Sequence, residues 1–282
     1  MYTQYCSILL ITRHMLELLL VNSGIYALFV LLYVSVVFLI AQLRRDNSTM
    51  DIAYGPAFFV AALATWFVVS PSTTLPLLIL TAIGLWALRL FTRILKKNWG
   101  KPEDPRYAKW REEWQQHGQL YFYVRSYLQI NLLQGLVIVA VAMPFIISLL
   151  AITLPATPWL VVGFGVFCFG LAYESLADWQ LDRFIARKKA GTEPANLMTR
   201  GLFHYSRRPN YFGETMVWWG LAIAVFPLPF GWLALLSPLL ITYIVTKVTG
   251  PLLENIFLEK FPEEYREYMR TTSYLVPWPP KE

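Results

Sequence analysis

Charged residues are scarce in this chain of 282 residues: they make up 15% of it, whereas hydrophobic residues make up 56%. A soluble globular protein carries about 25% charged residues. The shortage indicates that lipid, rather than water, surrounds much of the surface. The net charge of +6 would favour a nucleic-acid partner in a soluble protein. The position of the basic residues favours a membrane topology instead, and no nucleic-acid partner is expected.

Cysteine and histidine are also few. Cys6 and Cys168 lie far apart, and Cys168 falls inside an apolar run, so no structural disulfide is predicted. The three histidines lack the spacing that places metal ligands on one helix face, so no metal or haem site is expected. The sequence also lacks a phosphate-binding P-loop and a nucleophile elbow. A glycine-rich run lies within an apolar segment, where it predicts close helix packing rather than dinucleotide binding. Its glycines are Gly163, Gly165 and Gly170.

Long apolar runs of the length that crosses a bilayer are abundant. They predict an all-α, polytopic membrane protein with seven transmembrane helices in a single membrane domain, 1–282. Residues 5–20 are a weaker candidate, either as a short interfacial helix or as an eighth, partial span; they do not read as a signal peptide, because Arg13, His14 and Glu17 interrupt the run. The predicted spans are 24–43, 54–70, 75–95, 127–151, 159–177, 211–227 and 231–248.

Lysine and arginine alternate between the loops that join these spans. Loops 44–53, 96–126 and 178–210 and the tail 249–282 contain them, whereas loops 71–74, 152–158 and 228–230 contain none. Basic loops stay in the cytoplasm. Seven spans put every basic segment on that side, so the N-terminus is predicted outside and the C-terminus in the cytoplasm.

Ionisable residues of the spans cluster at the predicted cytoplasmic ends. There they form a polar cap, with loops 96–126 and 178–210 and the tail, over an apolar interior. This arrangement suits a polar cofactor entering from the cytoplasm and an apolar substrate entering from lipid. The alternative is that these groups are helix-end charges that reach the interface without binding anything. They are Asp51, Arg89, Arg93, Glu174, Asp178, Glu214 and Lys247.

The segment 201–220, GLFHYSRRPNYFGETMVWWG, is the most informative. Pro209 suits the first turn of a helix, so Arg207 and Arg208 flank a helix N-terminus that favours an anion. Asn210 and Glu214 are four residues apart and share one face. Glu174 and Asp178 have the same spacing and precede a basic cluster that begins at Arg187. A carboxylate pair and basic residues can grip ribose and phosphate groups; a solvated helix end is the alternative.

At these residues the sequence resembles a known family. YSRRPNYFGE is similar to the Tyr-Ser-Arg-His-Pro-Asn-Tyr-x-Gly-Glu signature of the steroid 5α-reductase-like membrane proteins, and especially of their mostly bacterial branch. LADWQLDRF, EDPRY at 103–107, DIAYG at 51–55 and YLVPWPP at 274–280 fit as well. The resemblance runs from about residue 25 to the C-terminus and implies a seven-span fold that binds NADPH on its cytoplasmic side.

The resemblance also implies a reaction and its residues. Such enzymes pass a hydride to a carbon–carbon double bond conjugated to a ketone in a steroid-like or other lipid. Asn210 and Glu214 then line the nicotinamide end, and Asp178 and the nearby basic residues face the rest of the nucleotide. Asp51 matches the carboxyl that hydrogen-bonds the substrate ketone. The implied cofactor-binding set is Asn210, Glu214, Arg207, Arg208, Tyr211, Tyr205, Asp178, Glu174 and Arg187.

Two departures from the family pattern bear on the substrate. Arg208 replaces the signature histidine, and Trp86 stands at the best match to a tyrosine that gives the ketone a second hydrogen bond. Tyr54, one turn from Asp51, is a candidate replacement. Two other functions stay open: an S-adenosylmethionine-dependent methyltransferase of the isoprenylcysteine carboxyl type, and a non-enzymatic membrane scaffold. The bacterial inner membrane is the expected location, or the endoplasmic reticulum in a eukaryote.

Overall fold

The computed structural model describes residues 2–98 and 100–281, with the side chains of residues 2–9 outside that description. The described chain is helical throughout, without a strand, which confirms the predicted all-α class. It forms two compact units. One comprises Met1–Pro155 with Pro227–Leu233, and the other Ala156–Phe226 with Ala234–Glu282. The predicted single membrane domain over the whole chain stays a prediction.

The first unit is built on long apolar helices. α1 (Tyr2–Arg44), α2 (Thr49–Val69) and α3 (Leu75–Asn98) are followed by a short amphipathic helix, α4 (Pro105–Gln115). α5 (Gln119–Ser126) continues through a π-helical turn, Tyr127–Leu132, into α6 (Leu133–Val141), and α7 is Met143–Ser148.

α1 corrects one expectation of the sequence. Residues 5–20 are not a separate interfacial helix, because α1 runs without a break from Tyr2 through the first predicted span. At 1.5 Å per residue its 43 residues extend for about 64 Å, roughly twice the ~30 Å hydrocarbon core of a bilayer. α1 is therefore much longer than a single perpendicular crossing requires.

The fourth predicted span also has different bounds. The apolar helix covers Gln119–Val141 rather than 127–151. The helix ends at Val141, and a new helix, α7, begins at Met143. Pro144 lies in the first turn of α7, where the missing N–H of proline costs no hydrogen bond.

The second unit contains α8 (Thr157–Lys189) and α9 (Pro209–Val225), separated by a 3-10 turn at Gly201–His204. α10 (Leu236–Tyr243) follows the 3-10 turn Gly231–Leu235, and a π-helical turn, Ile244–Val248, leads into α11 (Thr249–Lys260). α12 is Pro262–Thr271. Much of the predicted loop 178–210 and tail 249–282 is therefore helical: α8 continues to Lys189, and α11 and α12 form the tail.

Six helices of the described chain are long and apolar enough to cross a membrane. They mark the chain as an integral, multi-pass membrane protein in a lipid bilayer. α9, the sixth predicted span, has 17 residues and is not among them. The six begin at Leu10, Thr49, Leu75, Gln119, Thr157 and Gly231.

Candidate functional site

Glycines hold α8 and α9 together as an antiparallel pair. A Cβ added at Gly163 would lie 2.7 Å from the Ala224 amide nitrogen, and one at Gly170 would lie 2.5 Å from that of Val217. A Cβ at Gly213 would lie 2.5 Å from the amide nitrogen of Glu174. Because only glycine permits this approach, the glycine-rich run packs helices closely, as predicted, at Gly163 and Gly170. The close contact therefore fixes where the polar residues of α8 lie, along the helix axis, relative to those of α9.

Carboxylates and a tyrosine meet on this helix pair. Glu174 and Asp178, one turn apart on α8, are both buried, with 4% and 5% of their surface exposed. On α9, Tyr211 has Arg208, Glu214 and Asp178 as charged neighbours. The structure therefore brings Asp178, Glu214 and Arg208 of the predicted cofactor-binding set together around Tyr211.

Arg207 is occupied by the protein itself. Its Nε and Nη2 donate to the Glu254 carboxylate at 3.0 and 2.8 Å, and its Nη1 donates to the carbonyl oxygens of Met269 and Thr272 at 3.1 and 2.6 Å. The two charged side chains are 9% and 14% exposed. Arg207 thus joins the segment before α9 to α11 and to the end of α12.

Arg208 has a different environment. Its guanidinium lies 5.9 Å from the centre of the Tyr211 ring and 5.7 Å from that of Phe257, distances typical of cation–π contacts. Its Nε and Nη2 are buried and have no hydrogen-bond partner within the described residues. Buried donors are normally paired. Arg208 therefore presents N–H groups that suit an oxyanion, at the N-terminus of α9, where the helix dipole favours negative charge as well.

A C-terminal strap, residues 272–281, covers the segment that precedes α9. The Ser206 hydroxyl donates to the Leu275 carbonyl oxygen at 2.8 Å, and the Arg207 amide donates to that of Ser273 at 2.8 Å. The Tyr274 hydroxyl donates to the Val245 carbonyl oxygen in the π-helical turn at 2.6 Å. The strap and Arg207 together fix the backbone that carries Arg208.

Three other predicted cofactor-binding residues have distinct positions. Asn210 is the second residue of α9, one turn before Glu214. Arg187 lies nine residues beyond Asp178 on α8, where it is 3.5 Å from the buried Glu193 carboxylate. Tyr205 is 45% exposed and contacts the His204 ring. The predicted contacts of all three with a cofactor stay predictions.

The first unit contains a second polar cluster, around Asp51 in the first turn of α2. The Tyr107 hydroxyl donates to Asp51 Oδ1 at 2.6 Å, and Arg106 Nη2 lies 3.5 Å from Oδ2. Both partners come from the start of α4, which Asp104 caps by accepting from the Arg106 amide at 2.9 Å. The DIAYG and EDPRY segments, 56 residues apart, thus meet at one carboxyl group. Sequence reasoning recorded both motifs but gave Tyr107 no role.

Tyr54 and Trp86 belong to a row of three aromatic rings in the same unit. The Tyr54 and Phe58 rings meet edge to face at 5.2 Å between centroids, and Phe58 meets the fully buried Trp86 in the same way at 5.3 Å. Their predicted catalytic roles stay predictions. The structure adds that Tyr107 contacts the Asp51 carboxyl.

Among the side chains that the structure describes, no group of three histidine, cysteine, aspartate or glutamate residues is arranged to hold an ion. Cys168 carries a free thiol, and the Cys6 side chain lies outside the described residues.

Comparison with curated proteins and with solved structures gives no match. A family model described as a protein of unknown function, DUF1295, matches residues 37–272, a stretch that contains both polar clusters. The chain belongs to the DUF1295 family.

Proposed function

We propose that this protein is a membrane reductase that uses NADPH to reduce a carbon–carbon double bond conjugated to a ketone in a steroid-like or other lipid. The main support for the proposal comes from Arg208 at the N-terminus of α9. Its buried Nε and Nη2 groups have no hydrogen-bond acceptor within the described residues. The similarity of YSRRPNYFGE to the steroid 5α-reductase-like signature supplies the reaction class.

The residues of the second unit fit a nucleotide. A planar guanidinium binds phosphate oxygens with two parallel hydrogen bonds. Arg208 is assigned to a phosphate group, and Asn210 and Glu214, farther along α9, to the nicotinamide end. Asp178 is assigned to a ribose hydroxyl, because a carboxylate accepts hydrogen bonds from such groups. When bound, NADPH supplies the hydride; the protein holds and orients it. Arg207 serves as a positioning residue rather than as a ligand.

The proposed topology has seven spans with the C-terminus in the cytoplasm: the six long apolar helices and α9, the sixth span in chain order. Its 17 residues extend for about 26 Å at 1.5 Å per residue. It lies antiparallel to the apolar part of α8, from the Trp159–Phe226 ring stack to the contact of Gly213 with Glu174. Because α9 lies alongside α8 over this length, we propose that both helices are at the same depth in the bilayer. The bacterial inner membrane is the proposed location.

A methyltransferase is the second candidate, because Arg208 also suits the carboxylate of S-adenosylmethionine. The density of basic residues in the sequence 183–208, just before α9, favours the phosphate-rich cofactor. In both cases the substrate is a lipid-soluble small molecule, and we assign its polar end to Asp51.

The deciding experiment measures the thermal unfolding of detergent-purified protein with NADPH, NADH or S-adenosylmethionine. A ligand at 100 times its dissociation constant stabilises the folded protein by about 2.7 kcal/mol. We expect NADPH to raise Tm, and Arg208→Gln to remove that rise without lowering Tm in the absence of ligand.

The matched control is Arg266→Gln, since Arg266 is exposed and pairs only with Glu263 among the described residues. It should leave the NADPH shift unchanged. A shift with S-adenosylmethionine alone would replace the reductase by the methyltransferase. No shift with any of the three ligands, in protein shown to be folded, would favour a non-enzymatic scaffold.

A further inference from the structure

The Asp51 carboxyl faces two donors, the Tyr107 hydroxyl and the Arg106 guanidinium. An O–H donor to a carboxylate lies at about 2.5–2.7 Å, shorter than a bond between neutral partners, and the Tyr107 bond is 2.6 Å long. The second carboxyl oxygen faces the Arg106 guanidinium at 3.5 Å. Each oxygen of the group therefore faces a donor.

The remaining neighbours are consistent with this state. Gln134 is a further polar neighbour of the carboxyl, and Asp104 is a like charge close to it. Asp104 pairs with the same guanidinium, since Arg106 Nε lies 3.0 Å from its Oδ1. Burial and the Asp51 carboxylate both raise the pKa of the Tyr107 phenol, so Tyr107 keeps its proton and remains a donor.

We infer that Tyr107 is a positioning residue that, together with Arg106, holds Asp51 as an ionised hydrogen-bond acceptor. An ionised carboxylate accepts hydrogen bonds and donates none. The substrate group that meets Asp51 is therefore a donor, such as a lipid hydroxyl, rather than the ketone. The catalytic meaning of this assignment rests on the proposed function. The charge state and its cause rest on the geometry alone.

The assignment also changes the substrate class. A carboxyl that donates would select a carbonyl oxygen, whereas an ionised Asp51 rejects one, because two acceptors would face each other without a proton. The proposed lipid is thus one that has a hydroxyl group in addition to its enone. Tyr107 contributes to this preference for a hydroxyl over a carbonyl, because its own hydroxyl is the donor to Asp51 Oδ1.

Infrared spectroscopy of the full-length protein in lipid tests the inference without any cofactor. The carbonyl stretch of a protonated carboxyl is distinct from the bands of a carboxylate. The difference spectrum between wild type and Asp51→Asn isolates the contribution of Asp51, and it is recorded between about pH 5 and pH 9, on either side of neutrality.

We expect no protonated band from Asp51 at neutral pH in the wild type. In Tyr107→Phe, compared with the double variant that also contains Asp51→Asn, the band should appear at neutral pH. Phenylalanine keeps the ring contact with Trp110 at 5.7 Å, so the variant should fold. Tyr123→Phe is the matched control, because it removes the hydroxyl of an exposed tyrosine in the same unit and should leave the band absent.

Arg106→Gln provides a second variant should Tyr107→Phe unfold. Like Tyr107→Phe, it should extend the protonated-carboxyl band to higher pH than in the wild type. The effect should be smaller, since the Arg106 side chain is 50% exposed. A protonated band in the wild type at neutral pH would overturn the inference, and so would its absence from both folded variants. Because no nucleotide is used, these outcomes leave the NADPH melting experiment independent.

Discussion

The two consecutive arginines before α9 show how neighbouring residues of one type take different roles. Arg207 donates to a carboxylate and two carbonyl oxygens, whereas Arg208 is held between two rings with buried N–H groups. The sequence predicted a pair of anion-binding arginines at a helix N-terminus. It could not separate them, because the partner of Arg207, Glu254, lies 47 residues away.

Arg207→Ala should strongly destabilise the protein. The substitution leaves Glu254 as an uncompensated buried charge, and removal of one partner of a buried pair typically costs about 3–5 kcal/mol. Thermal unfolding in detergent measures the effect, and Arg266→Ala, at an exposed pair, should change Tm little. Equal small effects of the two variants would show that the Arg207 pair contributes no stability.

Tyr107 shows a second limit of sequence reasoning at this scale. Both DIAYG and EDPRY were recognisable as motifs, and the Asp104-Pro105 pair is a helix start that capping rules predict. Their contact was not predictable, because it depends on how the segment after α3 returns to α2. Residue patterns indicate local structure, whereas tertiary folding decides which of them meet.

At the scale of helices, the antiparallel α8–α9 pair depends on glycine. Periodic apolar runs predicted both helices, and the glycine-rich run predicted close packing. The partner and register were not predictable, because apolar runs of similar length resemble one another. Gly165, the middle glycine of the run, has no atom within 4 Å of an added Cβ and takes no part in the contact.

Gly170→Ala should therefore lower stability, and Gly165→Ala should not. A methyl group at Gly170 overlaps the backbone of α9, and overpacking of this kind typically costs about 1–3 kcal/mol. At Gly165 the methyl group meets open space, and alanine gains about 0.5–1 kcal/mol over glycine within a helix. Tm values of the two variants decide the point; similar values would mean that the close contact is absent or freely adjustable.

At the scale of the whole molecule, buried tyrosines outside the apolar helices make the fold sensitive to alkali. Burial raises the pKa of Tyr274 to about 12, and burial also raises the pKa of Tyr268, whose hydroxyl donates to the Phe203 carbonyl oxygen at 2.5 Å. A phenol in an unfolded chain has a pKa near 10. Because the folded protein holds these protons more tightly, their contribution to stability is complete below about pH 10 and is lost as pH rises toward 12.

Tm should thus fall between about pH 10 and pH 12, the interval between the unfolded pKa of a tyrosine and the folded pKa of Tyr274. The fall should be shallower in a Tyr268→Phe, Tyr274→Phe double variant, because its phenylalanines have no proton to lose. Tyr205→Phe, at an exposed position, serves as the control. An equally steep fall in the double variant would assign the alkaline transition to other groups.

The number of spans is the remaining question at this scale. Hydropathy and basic loops predicted seven spans, and six described helices meet the length and composition of a span. The difference is α9, which is 17 residues long and lies along the apolar part of α8. If α9 crosses the bilayer, the segment before it and the C-terminal strap lie on the same side, as the hydrogen bonds from Ser206 and Arg207 to the strap require. If α9 alone did not cross, the two segments would lie on opposite sides and these hydrogen bonds could not form.

Labelling of single cysteines in intact cells resolves this. In a Cys6→Ser, Cys168→Ser background, exposed positions Lys101, Thr192, Lys281 and Ser72 are each changed to cysteine. Seven spans predict that a membrane-impermeant maleimide reaches Ser72→Cys from outside, and the other three only after the membrane is opened. Protection of Thr192→Cys with labelling of Lys281→Cys in intact cells would show that α9 does not cross. It would also place the C-terminal strap outside, away from the NADPH of the cytoplasm. The same measurement therefore tests whether Arg208 and the strap beside it face the compartment that contains the proposed cofactor.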